Sequence, residues 1–146
     1  MMHSIEFLLD AQRALRSRFN EFMLAVQRIN ATAAEIALAD FEKHLRAWTE
    51  AEERALIPAL QRTEIPGRDV RRELRLEYVQ IRELTRFILQ QISEGTRPNT
   101  LTGYIDNLDR RLHAHEAEME KVYYPAGEKS LSEKEWQILE LAKPEG

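Results

Sequence analysis

The sequence contains no cysteine, which removes disulfides, thiolate metal ligands and thiol catalysis together. Five glycines and five prolines are few for a chain of hairpins and tight turns, and they gather at a handful of places. Long regular elements are therefore expected. No apolar stretch is long enough to span a membrane, and residues 1–9 lack the basic start and apolar run of a secretory signal. A cytoplasmic protein without membrane contact is the expectation. Positive charge is not in excess either: the net charge of -4 gives no reason to expect nucleic acid as a partner. Glycine-rich phosphate loops and nucleophile–base–orienter arrangements are missing, so no enzymatic activity is expected.

What the chain does contain is apolar residues recurring at alternating steps of three and four. With 43% hydrophobic and 32% charged residues, it suits one domain spanning 1–146. A first helix carries Ile5, Leu8, Leu15, Phe19, Phe22, Val26 and Ile29, with Gln12 the one polar member of the stripe. Thr32 with Glu35 reads as a capping box for a second helix. That helix aligns Phe41, Leu45, Trp48, Glu52, Ala55 and Ala59 and ends near Gln61, ahead of the turn Ile65-Pro66-Gly67. Asp69 can cap a third helix running to about Ser93, with Val70, Leu74, Ile81, Ile88 and Ile92 on its seam and Tyr78 and Thr85 between. A fourth carries Leu101, Ile105, Leu108, Leu112, His115, Met119 and Val122 and is expected to end at Pro125-Ala126-Gly127. Ser132 with Glu135 starts a last helix, 132–142, whose Trp136, Leu139 and Leu141 are expected to dock on the bundle. The fold class is all-α: an antiparallel up-down four-helix bundle with a short C-terminal fifth helix.

The chain also repeats itself. His44 to Pro58 reads HLRAWTEAEERALIP and His113 to Pro125 reads HAHEAEMEKVYYP. Superposing the two prolines sets Glu53 on Glu120, Ile57 on Tyr124, Glu52 on Met119 and Trp48 on His115. The repeat is that of a duplicated helical hairpin, roughly 5–61 and 69–124. A histidine and a carboxylate one turn apart project from one helix face, which is how a bundle aims ligands at an interior metal.

At these residues the chain resembles the hemerythrin-like, or HHE cation-binding, family. The resemblance is carried by the endings EERALIP and EMEKVYYP, the Glu77-Tyr78-Val79-Gln80-Ile81 run and the closing LSEKEWQIL. It implies a four-helix bundle around a non-haem di-iron centre, with histidines from all four helices and two bridging carboxylates. It also implies dioxygen binding, oxygen or redox sensing, or the handling of iron and nitric oxide. By that resemblance Glu52 is the helix-two carboxylate, and His115 with Glu120 are the helix-four histidine and carboxylate. Gln12 stands in the place of the helix-one histidine and Trp48 in that of the helix-two histidine, with His44 one turn earlier. Tyr78 and Arg82 stand in the two helix-three histidine places.

The residue types then weigh for and against a metal. Trp48 only donates and Arg82 stays protonated, so neither ligates a cation. Glu52, His115, Glu120 and His44 could hold one metal, provided His44 reaches past Trp48. Without a metal, buried carboxylates need a partner or a proton. Arg82 is the expected partner, in an Arg82–Glu52–Glu120 cluster with His115, Gln12 and Tyr78 hydrogen-bonding around it. The leading expectation is a domain whose di-iron site is largely lost, with no cofactor, acting as a non-enzymatic binding, sensory or interaction module. The alternative is a protein that binds non-haem iron or another divalent cation through a reduced ligand set. A third reading is a subunit that self-associates through a bundle face, so a protein partner or a homo-oligomer is expected. Trp48 and Tyr78 read first as core fillers. His113 is expected in solvent and His3 in a disordered lead-in, with Arg71-Arg72 and Arg110-Arg111 on outer faces.

Overall fold

Four amphipathic helical arms make up the protein in its computed structural model, which describes residues 3–145. The first arm is α1, Ile5–Gln27. The second is α2, Ala31–Arg54, continuing past a kink as α3, Leu56–Thr63. The third is α4, Val70–Ser93, followed by a 3-10 turn at Pro98–Thr100. The fourth is α5, Thr102–Glu118, which passes through a π-helical turn, Met119–Tyr123, into α6, Tyr124–Ser130. A short α7, Glu133–Ala142, closes the chain against α2. Among the described residues there is no strand, and no helix is long and apolar enough to cross a membrane. Neighbouring arms pack as α1 on α2, α2 on α4 and α4 on α5, with α3 against α6. This is the antiparallel bundle that short connections dictate.

The inward stripes fill one core in which Leu8, Phe19 and Phe22 of α1 meet Leu38 and Phe41 of α2, Leu74 and Ile88 of α4 and Leu108 of α5. Each such side chain contributes about 1.5–3 kcal/mol on leaving water. Ion pairs then stitch neighbours along the surface. Arg75 faces Glu53 at 3.8 Å, Arg82 faces Glu50 at 3.7 Å and Arg86 faces Glu42 at 3.6 Å along the α2–α4 groove. Arg16 ties α1 to α5 by donating to Asp109 at 2.7 Å and to Glu116 at 2.9 Å.

The two prolines of the repeat bend their arms differently. Pro58 offers no N–H to the Arg54 carbonyl and its ring crowds that turn. The helix breaks at Ala55 (φ -119, ψ -54) and resumes as α3. Pro125 likewise offers no N–H to Lys121, and there the chain widens into the π turn, with the Tyr124 N–H reaching back to the Met119 carbonyl. Contrary to the sequence expectation, Pro125-Ala126-Gly127 does not end the fourth arm. Pro125 sits in the first turn of α6, directly after the π turn, and the helix runs on to Ser130.

Four other expectations fail at the ends of elements. Ile29, placed on the first stripe by its spacing, lies beyond α1 in a left-handed conformation (φ 55) and is 72% exposed. Asn30, not Thr32, caps α2, because its side chain accepts from the Ala33 N–H at 3.0 Å. In α7 the Ser132–Glu135 capping box forms and Trp136 and Leu139 are buried, but Leu141 faces solvent. His3 is held in place: its ring stacks on Trp136 at 5.1 Å and bonds Glu140 at 2.8 Å.

A β-branched residue at positive φ is strained, and Ile29 buries little in return. Ile29→Gly is therefore expected to stabilise the fold by about 1 kcal/mol, read as a raised urea midpoint with an unchanged slope.

Candidate functional site

Glu52 sits on the inward face of α2, 1% exposed. No arginine or lysine pairs with it; hydroxyls do. The Tyr78 O–H donates to its Oε1 at 3.1 Å and the Tyr124 O–H donates to its Oε2 at 2.8 Å. The Trp48 indole N–H, one turn before Glu52 on α2, donates to the Tyr124 oxygen at 3.4 Å. An indole N–H only donates, so the Tyr124 oxygen must accept from it and turn its own hydrogen to Glu52. The chain Trp48 to Tyr124 to Glu52 thus has a fixed direction, and Tyr78 donates to the carboxylate from the other side.

Tyr124 reaches this position because of the π turn. Counted evenly from His115, the inward positions are Met119 and Val122. The extra residue in the turn advances the register, so that Tyr123 and Tyr124 are both buried, while Glu120 is exposed. Burial pushes the Glu52 carboxyl up from 4.5 to about 7, against the opposing pull of His115 and of the donors Tyr124, Tyr78 and Trp48. Burial, with the Glu52 charge beside them, raises the Tyr78 and Tyr124 hydroxyls well above the ordinary phenol value, which keeps both as donors.

The structure separates several residues that the sequence reading joined. Arg82 does not reach Glu52 or Glu120; its guanidinium lies outward against Glu50. Its long side chain follows the α2–α4 groove, and the interior need it was expected to meet is met by the two tyrosines. Glu120 is exposed and accepts from the Gln12 side-chain N–H at 2.9 Å. His44 is turned away from Trp48 and bonds the Asp40 carbonyl within its own helix at 2.8 Å. His115 does stand at the site, edge-on to Tyr78 with ring centres 5.7 Å apart. A carboxylate only accepts, so the His115 Nδ1–H donates to Glu77 at 2.6 Å. Gln12, Trp48, Glu52, His115 and Tyr124 share a cavity of about 30 Å³ walled by Leu15, Phe41, Leu45 and Leu112, with room for a water or two. On its other side His115 borders a surface cleft of about 170 Å³ lined by Glu77, Gln80, Ile81, Arg111, Ala114 and Glu118.

Tyr124, Glu77 and Arg16 were not among the sequence candidates. For Tyr124 the signal was present, as two tyrosines directly before the repeat's second proline. Glu77 meets His115 across 38 positions of chain, and nothing local marks that pairing. Arg16 reads as an ordinary surface arginine until α5 is set beside α1.

A family model described as Hemerythrin HHE cation binding domain matches residues 3–126. No curated protein and no solved structure matches the chain. That description names a cation, so the donor set decides whether one fits. Among the described residues no three histidine, aspartate or glutamate side chains are grouped to hold a metal. Both oxygens of Glu52 already accept hydroxyl hydrogens. So arranged, these side chains do not fit a di-iron centre.

Two outcomes follow from the geometry. Tyr124→Phe leaves the Trp48 N–H and one Glu52 oxygen unpaired and is expected to cost about 1–3 kcal/mol, whereas Arg82→Met should change stability by less than about 1 kcal/mol; denaturant unfolding of both variants checks the contrast. The folded Glu52 pKa of about 7 lies above its ordinary 4.5, so the stability tied to its proton is fully present below pH 4.5 and is lost as pH rises through 7. Chelator-treated protein is expected to lose about 3 kcal/mol relative to Glu52→Gln over that rise, at roughly 1.4 kcal/mol per unit. Unfolding curves of the two proteins at both ends of the range measure it.

Proposed function

Because the chain belongs to the Hemerythrin HHE cation-binding domain family, we propose that it is a member whose di-iron centre has given way to a metal-free core. In this reading it works in the cytoplasm as a non-enzymatic binding, sensory or interaction module. The observation that carries the reading is the hydrogen-bonded unit of Trp48, Tyr124, Glu52 and Tyr78. Hydroxyls satisfy a buried carboxylate that would otherwise need a cation. Trp48 and Tyr78, which stand where the resemblance sets histidines, thereby have a role of their own as donors. A module of this kind offers its shape and surface to partners and carries no redox chemistry.

A second reading is a cation held by a reduced ligand set, applied to oxygen, nitric oxide or iron handling. It rests on Glu52 and His115 bordering one cavity.

Metal content separates the two. Protein purified without chelator or affinity tag, then exposed anaerobically to ferrous iron, is expected to retain well below one metal per chain and to show no visible absorption. Two irons with oxo-bridge absorption would overturn the proposal. A single metal, lost on His115→Ala, would establish the second reading.

A further inference from the structure

We propose that the outer face of α4 docks a second copy of this chain, lying antiparallel across it. On the helix line farthest from the core stand Leu76 and Val79, 55% and 47% exposed. One turn before them is Arg72 and one turn after them is Glu83, both exposed. Read along α4 the steps are four, three and four residues: cation, apolar, apolar, anion. This spacing is the same in both directions while the charges are opposite at the two ends. Laid antiparallel, Leu76 of one copy meets Val79 of the other, and Arg72 of each meets Glu83 of the other. A parallel arrangement would set Arg72 against Arg72 and Glu83 against Glu83, so the charges choose the orientation.

Within the chain these groups are left available. Arg75, Arg82 and Arg86, on the flank towards α2, each pair with a glutamate of that helix. Among the described residues Arg72 and Glu83 form no ion pair. Towards α5 the apolar surface continues through Phe87 and Tyr104, whose rings pack at 4.9 Å with both side chains partly in solvent. A seam of one helix per copy is small, so the complex belongs to the transient class of association. Paired across a two-fold axis, the face closes on itself and propagates no further.

The test is sedimentation equilibrium of the full chain over a concentration series. Wild type is expected to pass from monomer to dimer as concentration rises, less readily in high salt. Arg72→Glu or Glu83→Arg alone sets like charges at both ends of the seam and is expected to raise the dissociation constant by about tenfold or more. An equimolar mixture of the two single variants should recover association as a heterodimer, and the exchanged double variant R72E/E83R should recover the homodimer. Circular dichroism confirms that each variant remains folded. A monomeric mass at every concentration, an unchanged dimer in the single variants, or failure of either recovery would overturn the proposal.

Discussion

A carboxylate carried into the interior and met there by hydroxyls governs how this bundle is built. Glu52 lies out of reach of bulk solvent, so donors must be brought to it, and the chain brings them from separate arms. Tyr78 comes from α4 and Tyr124 from the junction of the π turn with α6, while Trp48 on α2 orients Tyr124. Each donor constrains the arm that carries it. Apolar side chains supply the energy that closes the bundle but tolerate sliding, whereas a hydrogen bond about 3 Å long does not. The polar unit thus sets how the arms are placed relative to one another.

Outside the core, charge has a different role. Arg75, Arg82 and Arg86 face α2, and Arg16 faces α5, so the grooves between arms are lined by pairs of opposite sign. Pairs as exposed as those of the α2–α4 groove add little stability individually. They matter more for neighbour choice, since a shifted arm would set like charges together. The same division leaves Arg72 and Glu83, on the outermost line of α4, without an ion pair among the described residues.

Most of the fold was legible because the steps of three and four run through every long helix and the interruptions coincide with real turns. Leu8, Phe19, Phe41, Leu74 and Leu108 all lie where their spacing puts them. Ile29 shows where the pattern stops informing: an apolar residue in step with a stripe need not belong to the helix once a neighbour such as Asn30 offers a better cap. At the site, Glu52 was legible as a buried carboxylate, but its partner was not. A helical wheel set Arg82 beside the seam, and an arginine there can turn inward or outward with equal ease. What decides is whether the interior still lacks a donor, and Tyr78, read first as filler and otherwise as a bystander to an arginine, had already supplied one. Glu120 was set at the site by the resemblance alone; the spacing passes over it from His115 to Met119 and Val122, and it is exposed.

The π turn therefore deserves to be seen as a phase shift. Were the same residues wound at even pitch, all that follows Met119 would be rotated by about 100°. Every side chain would keep its chemistry, yet the interior would no longer be offered the same one. In the register counted evenly from His115, Val122 takes the inward place and Tyr124 turns away, so Glu52 loses one of its donors. What this arm presents to the core is thus set by the pitch of one turn as much as by residue type.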